Sequence, residues 1–184
     1  MKKLIVILFI FSATYLFSQS QFSIMLNGGT LFPNSKDFKL GVGGLISLEY
    51  HPIEDFAVFL SSGYSTWGYR TTTHYNTRLV PIILGMKYKL IKDSISPYLS
   101  AEFQYLFGEI DRYYDYSLEG VPLSSLRKET IKAIDYGIGL GAGIIFPIYS
   151  NFDLNFGSTI LLTAKNSETY NIRTMIGLLY NFNL

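Results

Sequence analysis

One histidine, His74, is the residue in this sequence best placed for acid–base chemistry. The hydroxyl residues Ser65 and Thr66 precede it, and two carboxylates, Asp111 and Asp115, lie in the next polar stretch. A histidine with an acid and a hydroxyl is the set that an acyltransferase or a hydrolase requires. Because His74, Asp111 and Asp115 also fit solvated polar loops, we assign no catalytic residue and keep a membrane-embedded enzyme using His74 as a remote alternative.

Metal, thiol and phosphate chemistry have little support. The chain contains no Cys, which excludes disulfides and cysteine-ligated metals. The second histidine, His51, precedes Pro52 in a predicted turn at the opposite end of the fold from His74, so we expect no histidine metal site. Glycines recur at every second position over Gly137–Gly143, but a phosphate-binding loop needs a strand–turn–helix context. We therefore predict no cofactor.

Six ionisable residues share predicted strand faces with small and polar residues, and they form the strongest candidate site. They are Glu49, Lys87, Glu102, Asp135, Asp153 and Arg173. Charges held away from water persist when they are paired and hydrogen-bonded. We predict that these residues form a polar network inside the fold and act as a paired plug rather than as a selectivity filter.

Eight segments with alternating apolar residues must position this network. Period-2 alternation indicates β-strands, because successive side chains point to opposite faces. The predicted strands are Phe22–Phe32, Leu40–Tyr50, Phe56–Trp67, Leu79–Leu90, Tyr98–Phe107, Ile131–Phe146, Phe152–Thr163 and Tyr170–Leu184. The phase of Phe56–Trp67 is open, and we expect a bulge there. Pro81 indicates a bulge or late pairing in the fourth strand.

The composition favours a barrel that crosses a membrane. Aromatic residues make up 16% of the chain and charged residues only 16%, against about 25% charged in a typical soluble domain. A soluble lipocalin-like or streptavidin-like barrel would also alternate. Its outer strand surface would not carry rows of glycine, which suit the narrow interior of an eight-stranded barrel. We predict an all-β fold: an eight-stranded antiparallel transmembrane up-and-down β-barrel.

The lengths of the connections between strands also indicate an outer-membrane barrel. His51–Asp55, Ile91–Ser96 and Pro147–Asn151 are short, whereas Gly68–Thr77 and Gly108–Thr130 are long. Outer-membrane barrels have short periplasmic turns and longer external loops. Within the longest connection, Ser124–Lys132 is predicted to form one or two helical turns.

The first twenty residues read as a secretory signal peptide. Lys2 and Lys3 precede an apolar core, and cleavage is expected after Ser18 or Ser20. The predicted domains are thus a signal peptide at residues 1–20 and an outer-membrane barrel at residues 21–184. The net charge of +1 argues against nucleic-acid binding, which normally needs a basic face.

Three motifs resemble the outer-membrane β-barrel domain family of "porin-family" or PorT-like proteins of Bacteroidetes. They are Leu79–Tyr88 (LVPIILGMKY), Ser96–Leu99 (SPYL) and Tyr136–Gly143 (YGIGLGAG). That family is similar in architecture to the eight-stranded OmpA and OmpX barrels. The resemblance implies the fold and an outer-membrane location in a Gram-negative envelope, and it implies no catalytic residues.

The sequence thus favours a structural or interaction role: envelope integrity, surface adhesion or partner binding through Gly108–Thr130. An open diffusion porin is not expected, since an aqueous channel needs about 16 strands. The alternative is narrow-pore transport or an accessory part of a secretion machine, as the PorT-like resemblance implies. Expected partners are the lipid bilayer and the outer-membrane assembly machinery, whose recognition signal Tyr170–Leu184 resembles.

Overall fold

The computed structural model describes residues 21–34, 39–68, 76–91, 95–114, 127–164 and 170–182. Its eight strands are β1 Gln21–Pro33, β2 Gly41–Ile53, β3 Phe56–Gly68, β4 Asn76–Lys89, β5 Ser96–Tyr114, β6 Arg127–Tyr149, β7 Phe152–Thr163 and β8 Tyr170–Phe182. Each strand pairs antiparallel with the next, and β8 pairs with β1 to close the barrel. The predicted fold class is confirmed. Among the described residues, no helix is long and apolar enough to span a membrane.

The two ends of the barrel differ in the length of their connections. At one end, which we call the turn end, the strands are joined by residues 54–55, 90–95 and 150–151. At the other, the loop end, the connections cover residues 34–40, 69–75, 115–126 and 164–169. The predicted asymmetry between short and long connections is confirmed.

The barrel wall is apolar outside and mixed inside. Outward side chains such as Leu26, Ile46 and Leu140 are 66%, 57% and 69% exposed, which is the reverse of a soluble protein's surface. Inward positions alternate with them and include fully buried Glu49 and Ser23. An outward apolar band with a polar interior is the arrangement of a transmembrane barrel.

Aromatic side chains cluster near both ends of the outer wall. At the turn end the ring of Phe22 lies 5.1 Å from that of Tyr50, and Tyr180 contacts Phe152 at 4.9 Å. Towards the loop end stand Tyr64, Tyr105, Phe107 and Tyr136. Two such belts are typical of the two membrane–water interfaces.

Strand β3 has a regular phase. Ala57, Phe59 and Ser61 are buried in the lumen, while Val58 and Leu60 face outwards. Its pairing with β4 keeps one register along the whole strand. The shift in its pairing with β2 places the extra residue on β2, so the bulge expected within Phe56–Trp67 is wrong.

The two register shifts in the described barrel lie at the turn end, on other strands. One falls between Tyr50 and Ile53 of β2 and the other between Pro147 and Tyr149 of β6. Both contain a proline, which cannot donate to the ladder. Pro81 causes no shift: it pairs in register with Leu106 of β5, and the β3–β4 pairing only omits Gly63↔Pro81 and Tyr64↔Val80. Of the predicted bulge or late pairing, the bulge is therefore wrong.

The longest connection is shorter than predicted, since β5 and β6 continue into it. The sequence predicts Gly108–Thr130 as irregular, but the two strands pair from Gly108↔Ala133 up to Tyr114↔Arg127. Residues 127–132 are therefore strand, and the helical turns predicted in Ser124–Lys132 are wrong for that part. Residues 124–126 lie outside the described part of the chain.

Inward glycines make room for large neighbours on adjacent strands. A Cβ added at Gly139 would lie 2.7 Å from the Glu102 side chain, whereas one at Gly28, on the outer face, would meet nothing within 4 Å. Glycine is thus required at position 139 by the narrow lumen and not at position 28.

This contrast gives a matched pair of variants. Gly139→Val is expected to destabilise the barrel by about 1–3 kcal/mol, the usual cost of overpacking. Gly28→Val should be neutral or slightly stabilising, since valine suits a strand. Unfolding followed by heat-modifiable electrophoretic mobility in detergent measures both. Equal loss of the folded band in the two variants would contradict a tightly filled lumen.

Candidate functional site

The interior of the barrel contains two buried ion pairs. In the first, Lys87 Nζ of β4 donates to Glu49 Oε1 of β2 at 2.6 Å, with the side chains 4% and 0% exposed. The ammonium group also lies 4.9 Å from the centre of the Tyr98 ring, a cation–π contact. Lys87 is thereby held by an anion and an aromatic face across the lumen.

The second pair joins β8 to β5. Arg173 Nη2 lies 2.7 Å from both Glu102 Oε1 and Oε2, and Gln104 Nε2 also donates to Glu102 Oε1. The two charged side chains are 8% and 3% exposed. Each buried carboxylate in the centre of the lumen therefore has its own cation, and the charges of these four residues cancel.

A chain of hydrogen bonds occupies the turn end of the lumen. His51 Nε2 lies 3.0 Å from Ser23 Oγ, Ser23 Oγ donates to Asn181 Oδ1, and Asn181 Nδ2 donates to Asp153 Oδ2. A hydroxyl has one hydrogen, and Ser23 gives it to Asn181. The bond between His51 and Ser23 therefore requires His51 Nε2 to be the donor.

This series of hydrogen-bonded side chains is not a catalytic triad, although it contains Ser23, His51 and the acid Asp153. A general base must accept the serine proton, whereas His51 donates to Ser23. Another carboxylate, Glu49, lies 3.7 Å from the same nitrogen of His51, so it does not orient the ring from the other side. Ser23 is also 0% exposed. The arrangement closes the turn end of the lumen and does not activate a nucleophile.

An apolar layer crosses the middle of the lumen. Leu45, Phe59, Ile83 and Met175, from four different strands, form a buried cluster. A cavity of about 60 Å³ lies among the ion-paired residues and one of about 240 Å³ extends towards the loop end. Leu45 and Arg173 line both and so stand between them.

The loop end has its own polar cluster. Arg78 Nη2 donates to Asp111 Oδ2 at 3.2 Å, and Thr130 Oγ1 donates to Asp111 Oδ1 at 2.9 Å. Asp111 is 2% exposed, so it is not the loop carboxylate that the enzyme hypothesis placed beside His74. Ser65 is also buried inside the barrel at 3% exposure, and His74 and Asp115 lie outside the described residues.

The six predicted network residues fall into separate groups. Glu49 pairs with Lys87 and Glu102 pairs with Arg173. Asp153 joins the hydrogen-bond chain at the turn end. Asp135 is half-buried on the wall of the larger cavity and accepts from the backbone N–H of Tyr136. The structure thus brings four of the residues together as two ion pairs and places the other two near opposite ends.

Several interior residues are not predicted from the sequence as part of the site. The sequence predicts a turn at His51 because Pro52 follows, yet His51 is 6% exposed within β2. Five neutral interior residues are not part of the predicted network either: Ser23, Asn27, Gln104, Asn155 and Asn181. The period-2 phase of each strand could have identified them. No group of three or more His, Asp or Glu side chains in the described ranges could hold a metal ion.

Known structures share this architecture. No protein family and no curated protein sequence matches the chain. Neisserial surface protein A superposes with a TM-score of 0.63 at 18% identity, covering 88% of this chain and 97% of that one. A major outer membrane protein from Thermus thermophilus gives 0.64 at 14% identity, covering 89% and 99%. Ail of Yersinia pestis gives 0.55 at 15% identity, covering 89% and 97%.

These matches establish the class of fold. The chain has the architecture of the small β-barrels of bacterial outer membranes, with eight strands, closed antiparallel pairing and no crossover in the described sheet. Identities of this size support the fold and nothing finer.

Removing one partner of a buried ion pair should be costly. Arg173→Met leaves Glu102 charged and without its cation, and we expect the free energy of unfolding to fall by about 3–5 kcal/mol. The double variant Glu102→Leu, Arg173→Met should recover most of this loss, because neither charge remains. Urea unfolding in lipid vesicles, followed by Trp67 fluorescence, measures both. A double variant less stable than the single one would show that the pair itself stabilises the barrel.

Proposed function

We propose that this protein is an outer-membrane β-barrel with a closed lumen, and that it acts through the surface at its loop end. The apolar outer band and the two aromatic belts support a membrane location. The similarity in fold to outer-membrane proteins supports the outer membrane in particular. In this proposal residues 1–20 are a cleaved signal peptide, the turn end faces the periplasm, and the assembly machinery recognises β8.

The observation that carries an interaction role is the β5–β6 hairpin. β5 pairs with β4 as far as Asp111, and β6 pairs with β7 only from Gly137. Beyond those points the two strands pair with each other up to Tyr114↔Arg127. The hairpin therefore extends past the rest of the barrel rim at the loop end, where it would stand in the external medium.

One edge of this hairpin has no neighbouring strand in the described part of the chain. The C=O of Tyr136 still accepts from the backbone N–H of Ala164. Residues 127–133 pair with β5 alone, so the backbone groups on their β7 side form an edge. An exposed strand edge is a template for pairing with an extended segment of another protein. We infer that a partner protein adds a strand along residues 127–133.

The charge of the hairpin points to a protein rather than to a polyanion. Ail of Yersinia pestis has been crystallised with a heparin analogue, sucrose octasulfate. In this chain Gly108–Thr130 contains three basic and five acidic residues, so it would repel a sulfated sugar. The partner is therefore expected to differ in class from the ligand of Ail.

A closed lumen predicts the absence of a steady conductance. Two ion pairs and the Leu45–Phe59–Ile83–Met175 layer fill the middle of the barrel, so purified protein in a planar bilayer should give no ohmic current. The variant Glu102→Ala, Arg173→Ala opens the space between the two cavities and serves as the comparison, with brief openings expected. Stable, salt-dependent currents from the wild type would favour the alternative, narrow-pore transport.

Shortening the hairpin tests the interaction role. Asp111 and Thr130 are neighbours in register, so residues 112–129 can be replaced by an Asn-Gly turn, which suits a two-residue hairpin. The Arg78–Asp111–Thr130 cluster is retained, and heat-modifiable mobility should be unchanged. A photo-crosslinking residue at position 132, exposed on the hairpin, should give a protein adduct in intact cells that is lost on shortening.

The matched control places the crosslinker at position 140, which is exposed on the lipid-facing side of the same strand. It should give no adduct that depends on the hairpin. Identical adducts with the full and shortened hairpins would refute this role. Adducts with components of a secretion machine would instead support the accessory role that the PorT-like resemblance implies.

A further inference from the structure

The larger cavity at the loop end has a mainly apolar lining that neither the plug nor the hairpin explains. It occupies about 240 Å³. Its wall includes Leu31, Leu79, Leu106, Ile110, Leu161 and Trp67. An interior that existed only to exclude ions would need no apolar chamber above its ion pairs. A concave apolar pocket with a few polar groups is the usual form of a small-molecule site.

The polar groups around this cavity disfavour a charged ligand. Arg173, on the floor, is already bound to both oxygens of Glu102, so an anion would have to displace a buried carboxylate. A cation would need to leave water for a predominantly apolar chamber, at high desolvation cost. A neutral molecule avoids both penalties.

The position of the cavity defines its entrance. Asn34 directly follows β1 and Asn171 lies near the start of β8, so both polar residues stand at the loop end. Arg173, Gln104 and Leu45 lie deeper along their strands and form the floor. A ligand therefore enters from the loop end and stops at the ion pair.

We propose that this chamber is a binding site for a compact, neutral hydrocarbon-like molecule. An engineered apolar cavity of about 150 Å³ binds benzene, so a chamber of this size suits a body of about ten carbon atoms. This site does not depend on the hairpin interaction, and either proposal can fail alone.

The protein contains an intrinsic fluorophore that can report ligand binding in the cavity. Trp67 is the single tryptophan, and it lines the cavity. A brominated ligand that enters should quench its fluorescence by the heavy-atom effect. We choose 1-bromoadamantane, a rigid ten-carbon cage without absorbance at the wavelengths used, added to protein in lipid nanodiscs.

Two alanines of β6 provide matched variants. Ala133 lines the cavity and Ala142 faces outwards. The wild type and Ala142→Leu should show saturable quenching that unbrominated adamantane reverses. Ala133→Leu fills the chamber and should weaken the apparent affinity at least about tenfold, equivalent to about 1.4 kcal/mol.

A second variant that fills the chamber tests the proposal if Ala133→Leu does not fold. A Cβ at Gly108 would lie 3.5 Å from the Ala133 carbonyl oxygen and 3.8 Å from Leu79 Cδ1, which are ordinary contacts, so Gly108→Val should fold and also weaken binding. Quenching that does not saturate and is equal in all variants would reflect partition into the bilayer and would overturn the proposal. Saturable quenching unaffected by either filling variant would equally exclude this chamber.

Discussion

The pairing of β1 with β8 is the contact on which the rest of the structure depends. It runs in register from Phe22↔Phe182 to Pro33↔Asn171 and joins the two ends of the described barrel. In hydrocarbon there is no water to satisfy backbone N–H and C=O groups, so a sheet can cross a membrane only if it has no edges. Once closure is imposed, the outer face must be apolar and the inner face must fill a narrow tube. Among the described residues, the β6 edge at residues 127–133 lies beyond the barrel rim, where water can satisfy the backbone.

The narrow interior explains how charge can be tolerated there. Taking a carboxylate out of water costs several kcal/mol unless its partner is close and well oriented. Glu49 and Glu102 each have a cation within 2.7 Å, on strands far apart in sequence. Such pairs are weak evidence for stability, but they fix which strands face one another across the tube. The same contacts divide the lumen into a polar half at the turn end and an apolar chamber at the loop end.

Much of the barrel can be predicted because the membrane imposes a strong pattern. The bounds of β7 agree with the predicted Phe152–Thr163, and the predicted phase of β2 and β4 is correct, since one face of each must be apolar. The extension of β5 and β6 is not predicted, because it lies beyond the part of the barrel on which the membrane imposes this pattern. Outside the bilayer both faces of a strand can be polar, so Gly108–Tyr114 carries no alternation to detect.

The phase of a strand predicts which side chains face the lumen, but it does not predict which of these side chains pair with one another. The sequence places Glu49, Lys87, Glu102 and Arg173 on inward faces, and nothing in it shows that Lys87 binds Glu49 rather than Glu102. That choice depends on the stagger of the strands around the barrel and on side-chain reach across it. Predictions made from the positions of two prolines are also wrong. Pro81 is accommodated without a shift, and Pro52 does not prevent His51 from lying inside the barrel.

The inward glycines have a consequence for how such a chain can change over evolutionary time. Gly85 lies against the ring of Phe59, Gly143 against Tyr98 and Gly177 against Asn27, so each absent side chain is matched by a large one on a neighbouring strand. Each part of the lumen is therefore filled by a pair of facing residues, so the sum of their two volumes is fixed rather than the volume of either one. A larger residue on one strand is tolerated only with a smaller one opposite, so interior positions in related barrels should vary together while the outer wall drifts freely among apolar residues.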